Sequence, residues 1–85
     1  MDCLAIVDSG NYAFKLLNLL ERKGYAFEVV PVPCQIARNG CGYCLKFPIE
    51  YMELIIAEGL ENKIPVREIF RIIPLFSRNK YEKIY

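Results

Sequence analysis

The 85-residue chain has no histidine and no tryptophan. Without histidine there can be no Ser-His or Cys-His catalytic pair and no imidazole ligand for a metal. Long apolar runs are also missing. A membrane span needs about 20 apolar residues, and the longest uncharged stretch, residues 29–37, is interrupted by Pro31, Pro33 and Gln35. The start, Met1 to Asp8, lacks a basic segment and its apolar run stops at Asp8, so neither an export signal nor a membrane partner is expected. Net charge is small. Eleven Lys and Arg against ten Asp and Glu leave +1, which carries no bulk nucleic-acid signature. What remains is 54% apolar residues, 25% charged residues and four cysteines. That composition is globular, the length suits one small domain, and the cysteine density is below that of a secreted disulfide scaffold. A cytoplasmic protein with free thiols is expected.

The chain reads as alternating elements. Cys3 to Val7 is a short apolar strand, and Asp8-Ser9-Gly10-Asn11 offers N-cap chemistry. Ala13, Leu16, Leu17 and Leu20 repeat at i, i+3, i+4, i+7 over residues 12–23, which predicts an amphipathic helix closed by Gly24. Residues 26–32 are β-rich, with Pro31 marking an edge or a strand end. Pro33 to Gly42 is a loop with one turn of helix around residues 35–38, ended by the turn pair Asn39-Gly40. Tyr43 to Phe47 alternates as a strand, with Tyr43, Leu45 and Phe47 on one face and Cys44 and Lys46 on the other. Pro48 opens a second helix over residues 49–60, burying Ile49, Met52, Ile55 and Ile56 and exposing Glu50, Glu53, Glu58 and Glu61. Val66 to Ile73 is the last strand.

The order β-α-β-β-α-β predicts an α+β fold, a ferredoxin-like sandwich. Its four-stranded antiparallel sheet would carry both helices on one face and leave the other open to water or to a partner. Residues 1–74 would form the domain, and 75–85 a polar, aromatic C-terminal tail. An open sheet face on so small a domain favours a homodimer.

From residue 63 onward six basic residues stand against two acidic ones. This reads as a solvated surface, or as Arg67 and Arg71 sharing a strand face toward an acidic partner or phosphate. The aromatic platform of an RNA-recognition sheet is missing, so no nucleic-acid partner is expected.

Cys3 lies in an apolar strand and reads as core, and Cys44 leans the same way. Cys34 and Cys41 sit in the one loop long enough to be a functional site. Cys41 lies between Gly40 and Gly42, with Arg38 three residues before it and Lys46 five after it, and nearby cations favour thiolate over thiol. The Cys41-Gly42-Tyr43-Cys44 spacing invites a dithiol reading, but residues at i, i+3 of an extended chain point to opposite faces. The set Cys34, Cys41, Cys44 matches no iron–sulfur spacing, so neither metal nor cofactor is expected. A single nucleophilic thiol at Cys41 fits best.

The strand–helix start, Gly24-Tyr25 leading into Val29-Val30-Pro31-Val32-Pro33, and Cys41-Gly42 leading into Leu45-Lys46-Phe47 resemble the selenium/sulfur carrier protein-like family over roughly residues 3–73. The resemblance implies that Cys41 carries sulfur or selenium as a persulfide or selenosulfide, taken from a cysteine desulfurase-type donor and handed to a protein acceptor. Pro33 and Gly42 would shape the loop. Cys34 and Cys44 lie outside the pattern and read as resolving thiols or as substitutions without a role. The alternative is a non-catalytic interaction or dimerisation module in which the cysteines are incidental.

Overall fold

The computed structural model describes residues 1–37 and 42–85. Strand β1 (Asp2–Ile6) leads into helix α1 (Gly10–Arg22), then β2 (Glu28–Pro31) and β3 (Tyr43–Pro48). A 3-10 turn (Ile49–Tyr51) enters α2 (Met52–Glu61), followed by β4 (Glu68–Pro74) and β5 (Asn79–Lys83). The sheet has five strands, not the four expected, in the order β2-β3-β1-β4-β5, and every pairing is antiparallel. The extra strand lies in the segment read as a tail. Leu75 N–H donates to the Arg78 carbonyl (2.8 Å), closing a tight hairpin, and Asn79–Lys83 zips back along β4. Ile84 then packs against the core.

Local chemistry fixes both ends of α1. The Ser9 hydroxyl accepts from Tyr12 N–H (3.3 Å), and Gly24 (φ +94°) takes the left-handed conformation that lets Tyr25 N–H reach the Leu20 carbonyl (3.1 Å). Helix α2 ends by the same device without the glycine. Lys63 has φ +59°, and Ile64 N–H donates to the Gly59 carbonyl (2.8 Å). A side chain in that conformation carries a steric cost that glycine avoids. Lys63→Gly is therefore expected to stabilise the fold by up to about 1 kcal/mol, read as a rise in the urea midpoint with an unchanged slope. A lower midpoint would contradict it.

Both helices cover one sheet face, where Leu16, Leu20 and Ile55 pack onto Cys3, Ala5, Leu45, Phe47 and Ile69. Alternation explains the set, because Ala5 stands opposite both Leu45 and Ile69 in the ladder. Glu58, expected on the exposed acidic face, is buried in the structure. Its carboxylate is held by Lys23 Nζ (2.9 Å) and Asn62 Nδ2 (3.3 Å), the contacts a buried charge requires.

The second sheet face is not simply open. Leu4, Cys44 and Phe70 point away from the helices yet are buried. Gln35 and Ile36, just after edge strand β2, line a cavity of about 250 Å³ together with residues 78–81 of the hairpin at the opposite edge. The connection after β2 thus reaches across this face. Among the described residues, no helix is long and apolar enough to cross a membrane.

Candidate thiol site

The β2–β3 connection is pinned at its neck. Val32 N–H donates to the Gly42 carbonyl (2.8 Å), extending the ladder by one rung. Past the neck, the Pro33 carbonyl accepts from Ile36 N–H (3.1 Å) and Ala37 N–H (3.0 Å), which folds residues 33–37 into a hydrogen-bonded turn that begins two residues before the turn expected around 35–38. Cys34 sits on this turn with its thiol exposed. Arg38 and Cys41, together with Asn39 and Gly40, lie outside the described residues.

The strand cysteines contrast with Cys34. Cys3 and Cys44 are both fully buried. Burial removes water from the thiolate and favours the neutral thiol, so the Cys3 thiol is raised and that of Cys44 is pushed up to about 11. Cys44, considered above as a resolving thiol, would need β3 to open before it could react. At pH 8, iodoacetamide is therefore expected to label Cys34 in the native protein and to leave Cys3 and Cys44 unmodified until the chain is denatured. Peptide mass mapping checks this, and native labelling of Cys44 at the rate of Cys34 would contradict it. The pH dependence has a definite sign. A folded-state value raised above the usual 9.0 means that Cys44 burial stabilises fully at neutral pH, and that this contribution is lost as pH rises from about 9 through 11.

Lys46 finds its carboxylate partners away from the neck of the loop. It lies toward the other end of β3 from Gly42, and its ammonium is 3.5 Å from Glu28 and 3.9 Å from Asp2. Arg67 and Arg71 are likewise occupied within the fold. Arg67 grips Asp8 through two bonds (2.8 and 3.0 Å), which hold the Asp8 carboxyl below its usual range, and Arg71 meets Glu82 across the β4–β5 pair (2.6 Å).

Gly42, the residue after Cys41, borders a cavity of about 360 Å³ that is also lined by Ser9, Gly10, Asn11, Phe14, Pro31 and Tyr43. Its floor is the start of α1. The first turn of a helix has N–H groups without intrahelical acceptors and a partial positive charge, and no acidic residue stands in this one to neutralise it. Its wall is aromatic. The rings of Phe14 and Tyr43 lie 5.7 Å apart, both about half exposed. A Cβ on Gly10 would approach Tyr43 to 3.2 Å, so a glycine there lets the ring sit over the helix start. By contrast, a Cβ on Gly42 would meet only Val32 at 3.9 Å, and the neck does not need a glycine for space.

The sequence reading missed Gly10, Phe14 and Tyr43 as neighbours of the thiol loop. Only the position of Tyr43, two residues after Cys41, hinted at the last of them. Among the described residues, no group of three or more His, Cys, Asp or Glu side chains is placed to hold a metal ion.

No curated protein matches the chain, and no solved structure does. One family model matches, described as "Putative Se/S carrier protein-like", and its match runs over residues 2–71, from the first residue of β1 into β4. With that span covering the first three strands, both helices, the cysteine-bearing loop and the start of β4, the chain belongs to the Se/S carrier protein-like family.

Proposed function

We propose that the protein is a sulfur or selenium relay that uses Cys41 as its carrying thiol. It would act in the reducing cytoplasm on a ferredoxin-like scaffold, and it would be a carrier rather than a turnover enzyme. The observation that carries the reading is the division of the cysteines. Cys3 and Cys44 are sealed in the sheet with raised thiol values, whereas Cys34 is exposed on the connection that also bears Cys41. Family membership supports the class of cargo. The scaffold reading is supported by β1 lying between β3 and β4, and β3 between β2 and β1.

The chemistry needs no general base on this chain. The Cys41 thiolate attacks the outer sulfur of a donor enzyme's cysteine persulfide. A new S–S bond forms at Cys41, the donor's S–S bond breaks, and the donor leaves as its own thiolate. No net oxidation occurs, and the absence of histidine is no obstacle. Delivery repeats the exchange with an acceptor thiol. Cys34 offers a second route, in which its thiolate attacks the inner sulfur of Cys41, hydrosulfide leaves, and a Cys34–Cys41 disulfide forms. A cellular dithiol must then reduce that disulfide. Gly42, the residue after Cys41, lines the cavity at the α1 N-terminus, whose partial positive charge would favour an anionic sulfur brought there.

The test is intact-mass spectrometry of non-reduced protein before and after incubation with a cysteine desulfurase and cysteine. A gain of one or more sulfur masses, removed by dithiothreitol, is the expected result. Protein that gains no sulfur from an active desulfurase would sink the proposal.

A further inference from the structure

The two edges of the sheet differ in what they offer a neighbouring strand. At the β2 edge, Val32 bonds inward to Gly42, so alternation turns the backbone groups of Val29 and Pro31 outward. Pro31 has no N–H to give, which blocks a regular added strand. At the other edge, Leu75 N–H bonds the Arg78 carbonyl and Ile84 N–H bonds the Ile69 carbonyl (both 2.8 Å), with an unbroken register between them. Lys80 and Glu82 therefore bond β4, and Asn79, Tyr81 and Lys83 turn their N–H and C=O groups outward. Among the described residues, nothing hydrogen-bonds those outward groups.

Exposed edges invite unwanted pairing, and lysines usually guard them. In β5 the charges do the opposite toward a second copy. A two-fold axis through Tyr81 sets Tyr81 against Tyr81, Asn79 against Lys83 and Lys80 against Glu82, the last pair occurring twice. In that register the three outward residues meet as hydrogen-bonded pairs. Lys80 and Glu82 fall on the non-hydrogen-bonded positions, where side chains come closest. Slipping by one pairing step sets Lys80 against Lys80 in one direction and Glu82 against Glu82 in the other, so charge selects a single register. Lys80 has no carboxylate partner among the described residues, and Glu82 keeps an exposed side while bound to Arg71. The same axis carries Tyr85 of each copy to the other's hairpin turn, where Phe76 is fully exposed.

We propose that the chain forms a two-fold homodimer by antiparallel β5–β5 pairing centred on Tyr81, joining two five-stranded sheets into one of ten, with Lys80 of each protomer against Glu82 of the other. The proposal is independent of the thiol chemistry, and the family match ends at Arg71, before β5 begins. The contact is small beside a standard interface, so the dimer is a reversible equilibrium.

Sedimentation equilibrium over a range of concentrations tests it. Wild type is expected to rise from 9.9 kDa toward twice that mass. Lys80→Glu and Glu82→Lys should each weaken dimerisation by about tenfold or more, since each sets like charges face to face. An equimolar mixture of the two variants should dimerise again, because opposite charges then face each other at both sites. Tyr81→Pro removes an outward N–H and no bond to β4, so it should be folded by circular dichroism and monomeric. Wild type that stays monomeric at every concentration overturns the proposal and leaves the edge for a strand of another protein. A dimer indifferent to Lys80→Glu and Tyr81→Pro overturns it as well.

Discussion

Cys41→Ser is expected to abolish sulfur loading completely, with no residual transferable sulfur detectable by mass. Serine preserves the size of the side chain, but its hydroxyl is not ionised near neutral pH and does not form a stable analogue of a persulfide. The loss is chemical rather than structural. Circular dichroism and the urea midpoint should match wild type, because replacing sulfur by oxygen in one small side chain is a change expected to stay within about 0.5 kcal/mol. Companion variants separate the roles. Cys34→Ser should load as wild type does, but lose the Cys34–Cys41 disulfide and the hydrosulfide released with it. Cys44→Ala should also load, since the buried thiol takes no part. If Cys41→Ser were to acquire sulfur as readily as wild type, the carrying role would pass to Cys34, the other cysteine of the connection, and the assignment would be wrong.

Gly59→Ala should produce the largest loss of stability among single-methyl substitutions. A Cβ at this position would lie 2.5 Å from the Ile64 carbonyl oxygen. That obstacle is backbone, held in place by the Ile64 N–H bond to the Gly59 carbonyl. No rotamer change relieves the clash, so the turn after α2 must move. Moving it draws Ile64 and Val66, both buried, out of contact with the core. A cost of about 3 kcal/mol is expected, which for a domain of this size lowers the melting temperature by roughly 10–20 °C. The total stability of such a domain is only about 5–10 kcal/mol, so the variant should lose about a third to a half or more of its margin. Leu60→Ala, one residue on and exposed, serves as the control and should change little. A Gly59→Ala protein within 1 kcal/mol of wild type by urea titration, a threshold of about one ordinary mutational effect, would show that the turn yields more easily than its hydrogen bonding implies.

These expectations rest on information held at different levels. Helix α1 was legible because everything that makes it is local: the Ala13, Leu16, Leu20 stripe, the Ser9 cap and the glycine at 24 all act within a few residues. The two-residue alternation of β3 put Cys44 and Leu45 on different sheet faces for the same reason, and Cys3 and Cys44 could be told from Cys34 by whether their segments repeat. The sequence alone thus determined the helices, the first four strands and the turn that holds Cys34.

Tertiary structure decided the rest. Strand β5 has no apolar period, because an edge strand is stabilised by the ladder it joins and needs no buried stripe of its own. Its pairing with β4 is a property of the sheet rather than of the segment Asn79–Lys83. Glu58 fits an acidic exposed face until α2 is laid beside α1, where Lys23 waits to neutralise it from 35 residues away. Lys46 is five residues from Cys41 along the chain, but an extended strand carries it into the second half of β3, within reach of Asp2 and Glu28. The cavity beside Gly42 joins residues 9–14 to residues 31 and 42–43, a meeting made by packing α1 against β2 and β3. Periodicity and capping act over a few residues and can be read from the chain, whereas partners chosen across the fold exist only once the sheet has formed.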